Sequence, residues 1–383
     1  MLAVLCGRIL TCAGTDCKNG IILEKDGRIL NIGQNIPIPT ECPVLDLSAY
    51  TIIPGMVDAH THLGINEESI GTPGVDNNEV SEIVTPSLRV IDGINPLEEG
   101  LQDAYSGGVT TTMVLPGSMN VVGGQTAIIK THGICVDDMA LREPAGLKVA
   151  FGENPKTKYQ QRTDYPRTRM GIANLLRKAC LSGINYTLNN SNEERDLDAE
   201  VMAALLRGDF PMMAHAHRAD DIMTALRICL EFGIKLVIQH GTEAHRVSRY
   251  LAANEVPVLV GPTFTSRVKV ELQQRTYLTP ALLVQEGIKF ALITDHPVIP
   301  VNMLRLQAAV AAREGLSDSD ALKAITIYPA EILGIAHRVG SLEKGKDMDF
   351  VALSGNPLDV RSKVVCVVMQ GQVVYKQTED NEV

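Results

Sequence analysis

The chain has 383 residues, enough to bury one large core and a smaller one. Its 45% hydrophobic and 21% charged content is that of an ordinary globular protein, and a net charge of −10 argues against non-specific nucleic-acid binding and for solubility. No apolar run approaches the roughly 18 residues of a membrane span, and eight cysteines without a Cys-X-X-Cys pair read as free thiols of a reducing compartment.

Met1–Cys6 is apolar but shorter than a signal-peptide core, no basic stretch precedes it, and a cytoplasmic location is expected. Residues 1–53 read as short strands such as Ile21-Ile-Leu23 and Ile29–Ile32, separated by the turn dipeptides Asn19-Gly20 and Asp26-Gly27. Residues 341–383 look alike, with strands at Phe350–Leu353, Val364–Val368 and Val373–Tyr375. Chain ends often lie close together, so residues 1–53 and 341–383 are expected to form one small β-sandwich domain around a catalytic domain of residues 54–340.

That middle region alternates strands and helices. Eight candidate strands fall at Val57–His62, Val109–Leu115, Thr126–Thr131, Leu147–Gly152, Pro211–His217, Lys235–His240, Val256–Val260 and Lys289–Thr294. Most are continuous apolar runs, as for parallel strands covered on both faces. After Asp220-Asp221, apolar residues recur at Ile222, Ala225, Leu226, Cys229 and Leu230 until Gly233 ends a helix. The pattern predicts an α/β fold, a TIM-like (β/α)₈ barrel. One connection is short for it: about ten residues separate the second and third strands, fewer than a helical crossover takes. Residues 63–95 and 153–169 form two long loops, which in compact domains often serve function.

Residues i and i+2 of a strand share a face. His60 and His62, in Pro54-Gly-Met-Val-Asp-Ala-His-Thr-His62, therefore aim two nitrogen donors at one point, as zinc or a similar divalent ion requires. Taken alone, a His-X-His is more often a pair of satisfied histidines. Here the same residue types recur at other strand ends: Glu153 after the fourth, His215 and His217 at the fifth, His240 at the sixth and Asp295 with His296 at the eighth. Seven of nine histidines belong to this set or, like His245, lie beside it. In a parallel barrel these ends share the face that carries the active site.

In order and spacing, these segments resemble the amidohydrolase superfamily, in its branch of metal-dependent hydrolases nearest imidazolonepropionase and prolidase-like proteins. The resemblance covers nearly the whole chain: the His60/His62 segment, Gly108-Val-Thr-Thr, Gly152-Glu-Asn-Pro-Lys156, His215-Ala-His-Arg-Ala-Asp, Gln239-His-Gly, Thr294-Asp-His-Pro, Pro329-Ala-Glu-Ile-Leu-Gly334 and Gly340-Ser-Leu-Glu-Lys-Gly-Lys-Asp347. It implies one or two divalent metal ions, zinc first with manganese or iron as alternatives. His60, His62 and Asp295 would hold one, and His215 and His240 a second. Alternation does not separate His215 from His217; the resemblance favours His215, leaving His217 and Arg218 for the substrate. His296 is a further candidate substrate contact, and His245 is open between that role and packing. Many binuclear relatives bridge the metals with a carboxylated lysine of strand four. Lys148 lies about five residues before the end of that predicted strand and is expected to fall short; some branches of the family use a glutamate in that role, so the resemblance implies Glu153, at the strand's end, as the bridge.

A divalent metal brings the pKa of a bound water towards 7. Asp295 would take its proton and pass it to the leaving group, while His240 or a second metal polarises the carbonyl. The expected reaction is hydrolysis of an amide-like C–N bond in a small molecule, with Arg162, Arg167, Arg169 and Arg218 as possible partners of a substrate carboxylate. A homo-oligomer is expected, as is common in the family, without nucleic-acid or membrane partners. A deaminase of the same fold ranks lower, because the position three after His215 is Arg218 where such relatives carry glutamate. A non-catalytic scaffold would have lost metal ligands, and none is missing.

Overall fold

The structure is a computed structural model describing residues 1–157, 165–188 and 194–377. Both ends of the chain build one seven-stranded sheet from Leu2–Ile9 (β1), Cys17–Lys25 (β2), Arg28–Gly33 (β3), Val44–Pro54 (β4), Phe350–Leu353 (β13), Val364–Met369 (β14) and Gln372–Lys376 (β15). The order is β15-β14-β13-β4-β1-β2-β3, antiparallel except where β1 runs parallel to β4. The junction between the two ends is β13 on β4, with Ala352 opposite Ile52 and Phe350 opposite Pro54. Apolar residues from almost every strand, among them Val4, Ile22, Ile29, Ile52, Phe350 and Val368, close on a common core.

The second sheet holds all eight predicted strands: Met56–Thr61 (β5), Val109–Val114 (β6), Val122–Lys130 (β7), Ala140–Ala150 (β8), Met212–Ala216 (β9), Leu236–His240 (β10), Val258–Val260 (β11) and Phe290–Leu292 (β12). They lie side by side in chain order. Past the end of β12 the ring closes onto β5, through Asp295 N–H to the His60 carbonyl (3.1 Å) and His62 N–H to the His296 carbonyl (2.9 Å).

One expectation fails. β7 is antiparallel to both β6 and β8, so the barrel has seven parallel strands and one reversed. The short connection after β6 is the reason: a few residues turn the chain back as a hairpin but cannot carry it across the sheet as a helix.

Two apolar layers place the site. Leu147, Val149, Met212, Ala214, Ile238, Val258 and Leu292 pack outward with helix residues such as Leu176, Ile222 and Leu226. Val57, Ala59, Met113, Ile128, Met213, Val237, Leu259 and Ile293 fill the barrel interior and make a dry floor. Gly55, the break before β5, is required by close approach: a Cβ there would lie 2.1 Å from Thr110 Oγ1.

Candidate metal centre

The alternation of β5 changes phase at its end. Val57 and Ala59 belong to the interior layer, yet the adjacent His60, and then His62, line the cavity above it. The shift falls where β5/β6 pairing is irregular, between Asp58 and Thr61; an extra residue re-aims the side chains that follow. Asp58 pins this segment. Fully buried, it accepts from Thr294 Oγ1 (2.5 Å), Thr294 N (3.2 Å) and His60 N (3.2 Å), fastening β5 to the chain that carries Asp295. Burial raises its pKa to about 7, against the pull of those hydrogen bonds.

His60 Nε2 lies 3.1 Å and His62 Nε2 3.4 Å from Asp295 Oδ1. The His62 Nδ1 is 2.7 Å from the Leu115 carbonyl and the His240 Nδ1 2.8 Å from the Gly261 carbonyl. A carbonyl only accepts, so each Nδ1 carries the proton and each Nε2 presents a lone pair. His62 Nε2 and Asp295 Oδ1 are thus two electron-pair donors facing each other, an arrangement that a shared cation relieves. Donor atoms of His60, His240 and Asp295 lie within 4.8 Å of one another, as do those of His215, His217 and His240. His240 is common to both groups. Neither nitrogen of His60 or of His215 has a hydrogen-bond partner, although both rings are buried. Buried polar atoms are normally satisfied; here their chemistry fits a divalent cation.

The electrostatics agree. Burial lowers the pKa of His60 and His217 to about 3 and also lowers His215 and His240, so the imidazoles are neutral donors. Burial opposes ionisation of Asp295, but His240, His60 and His62 hold its pKa well below the usual carboxylate range. His240 (φ 71°) and Asp295 (φ 55°) both adopt left-handed backbone, which non-glycine residues rarely do and which concentrates at functional sites.

These groups open into a cavity of about 390 Å³. His60, His62, His215, His217, His240 and Asp295 all line it. Other candidates are elsewhere. Glu153 is half-buried at the start of the short helix Glu153–Thr157, does not line the cavity, and meets the site only through its backbone N–H, which donates to Glu271 Oε2. The chain turns at Gly152 (φ 84°) and carries its side chain off the barrel axis. Arg218 is held by Asp220 (2.9 Å) and Arg169 by Asp221 (2.8 Å); neither lines the cavity. Arg162 lies outside the described residues. His296 Nδ1 accepts from Val301 N–H (3.3 Å) and its Nε2 faces Glu68 at 3.8 Å, away from the cavity. His245 Nδ1 pairs with Thr279 Oγ1 at 3.1 Å.

Lys148 is where the sequence expectation errs most. β8 ends at Ala150, two residues on, and Lys148 faces inward between the outward Leu147 and Val149. Its buried Nζ donates to Gln239 Oε1 at 3.0 Å, and its side chain lines the cavity. Burial lowers its pKa to about 7, against the Asp295 charge, which raises it. Sequence reasoning also missed Glu271, Lys269, and the rim amides Asn66, Asn77, Asn78 and Asn154. Lys148 could not be placed without knowing where β8 ends; Asn154 lies in the short helix Glu153–Thr157 and the others in turns and loops, where no two-residue period points. A larger hollow of about 490 Å³ at the amino ends of β8–β10 is lined by no histidine.

The model of the amidohydrolase family matches residues 170–374, and the chain belongs to this family. It is similar, at 42% identity over 98% of its length and with a TM-score of 0.96, to an amidohydrolase from Thermotoga maritima MSB8, whose whole chain is covered. It is 29% identical over 395 residues to the amidohydrolase tasK of Hapsidospora irregularis; that match takes in 93% of this chain and spans only 40% of that relative's length. It is 22% identical, over 92% of each chain, to an imidazolonepropionase of Sphingopyxis alaskensis.

Proposed function

We propose that the protein is a metal-dependent hydrolase of an amide-like C–N bond in a small molecule: a cyclic amide, an N-acyl group or a dipeptide. The observation that carries this is the lone pair of His62 Nε2 set 3.4 Å from the Asp295 carboxylate, with His60 Nε2 3.1 Å from the same oxygen. Zinc fits the nitrogen-rich donor set, with manganese or iron as alternatives. When bound, the cation supplies Lewis acidity and an acidified water. Asp295 accepts the proton of the attacking water and returns it to the leaving nitrogen. His240, whose Nε2 lone pair is common to the two donor groups, would be a ligand of the cation and not a donor to the substrate carbonyl.

Lys148, which lines the cavity where Glu153 does not, would be the residue to link two cations. At pH 8 its amine is largely neutral and can add to carbon dioxide, forming a carbamate with release of one proton. That turns a buried amine into a carboxylate between the donor groups. The rim amides and Lys269 suit a polar substrate bearing a carboxylate. A cytoplasmic location and a homo-oligomeric state belong to the same proposal.

The test is a screen of N-acyl amino acids, dipeptides and cyclic amides against protein stripped with a chelator and reloaded with zinc or manganese. Turnover should vanish on stripping and return on loading. A wild-type protein holding under about half an equivalent of metal after reloading would sink the proposal in favour of a scaffold.

A further inference from the structure

Glu271 has no part in the chemistry above, yet it is 2% exposed and its carboxylate stands beside His215 and His217. It lies in the short turn Val270–Leu272, in the long segment after β11. Its Oε2 is fixed by the Glu153 N–H at 3.2 Å, and a Cβ on Gly152 would crowd that oxygen at 3.0 Å, so the glycine makes room for the carboxylate. Its Oε1 has no hydrogen-bond partner. That oxygen lies 3.7 Å from His215 Nε2 and 3.7 Å from His217 Nε2.

Those separations are too long for hydrogen bonds. They match the spacing of two donors on one cation, which bonds of about 2.0–2.2 Å put roughly 3–4 Å apart. The His217 Nδ1 is engaged by Thr242 Oγ1 (2.8 Å), which leaves its Nε2 for the site. We propose that Glu271 is a metal ligand, completing with His215 and His217 a second cation site beside the one at His60, His62 and Asp295. A carboxylate supplies the charge that imidazoles alone lack, independently of the state of Lys148.

Lys269 bears on the same oxygen. Its Nζ is 3.5 Å from Glu271 Oε1 and 2.9 Å from Asn154 Oδ1. In the metal-free protein this ammonium neutralises Glu271, and a cation at the second site competes with it. Asn154 holds the lysine when it yields.

The assignment rests on the cavity being a metal-dependent site, and the test separates the two. Stripped wild-type, Glu271→Gln and Lys269→Met proteins are titrated with cobalt(II), following bound metal per chain by mass spectrometry and the visible cobalt absorption. Wild type should bind two equivalents. Glu271→Gln should keep the first and bind the second at least 10-fold more weakly, with an altered spectrum; Lys269→Met should bind the second more tightly. Two equivalents of wild-type affinity and spectrum in Glu271→Gln overturn the assignment, as does a wild type that binds one equivalent and still hydrolyses amides. No binding by wild type overturns the hydrolase proposal as well. If Glu271→Gln does not fold, Lys269→Met decides, and unchanged affinity there counts against the ligand.

Discussion

The buried polar clusters around Lys130 and around His60 differ in how their atoms are satisfied. At the end of β7, near the start of β6, Lys130 pairs with Asp349 and, at 3.2 Å, with Asp347, which also takes Arg338 at 2.8 Å. Lys130, Asp347 and Asp349 are buried and Arg338 is half-buried; two cations and two carboxylates cancel locally, riveting the barrel to the residues just before β13. At the other cluster, both nitrogens of His60 and His215, Gln239 Nε2 and Glu271 Oε1 lack a hydrogen-bond partner, although Lys269 lies 3.5 Å from the glutamate. Buried groups left unpaired cost about 1–3 kcal/mol each. A fold that keeps several at one place, beside two residues in left-handed backbone, holds them for something that binds there.

Mutations should separate the clusters. The largest effect belongs to Asp295→Asn, which should lower kcat by roughly 10²–10⁴-fold, the span of a lost general base, while the melting temperature of the metal-free protein stays near wild type. If it unfolds the protein instead, the site cluster is structural and the contrast is broken. Lys130→Met should do the reverse. Removing one member of a buried pair costs about 3–5 kcal/mol, read in urea unfolding, whereas metal stoichiometry should not change.

Next comes the pH dependence of the metal-free protein. Folding lowers the Lys148 pKa from 10.5 to about 7. Between these values the unfolded chain binds a proton that the folded chain does not, so this residue makes stability rise with pH across that window. Lys148→Met should flatten the rise in unfolding free energy above pH 7; an identical slope would mean that the amine stays charged in the fold. The smallest effect is expected for Arg218→Ala. Its guanidinium is over one-third exposed and paired with a half-exposed Asp220, and exposed pairs contribute about 0–1 kcal/mol. A large rise in KM on this change would place Arg218 at the substrate after all.

Much of this was written in the chain. Eight apolar runs gave the eight barrel strands, the turn-rich ends gave a joint β unit, and a two-residue period aimed His60 with His62 and His215 with His217, because alternation on a strand is a local property of the backbone. Even the reversal of β7 was foreshadowed by a connection too short for a crossover. The tertiary structure decided the rest. Whether Lys148 or Glu153 enters the site depends on where β8 ends and how the chain turns at Gly152. Glu271 arrives from a loop more than fifty residues beyond His215, placed by packing alone. Local sequence fixes which way a side chain faces; only the assembled barrel fixes what it meets there.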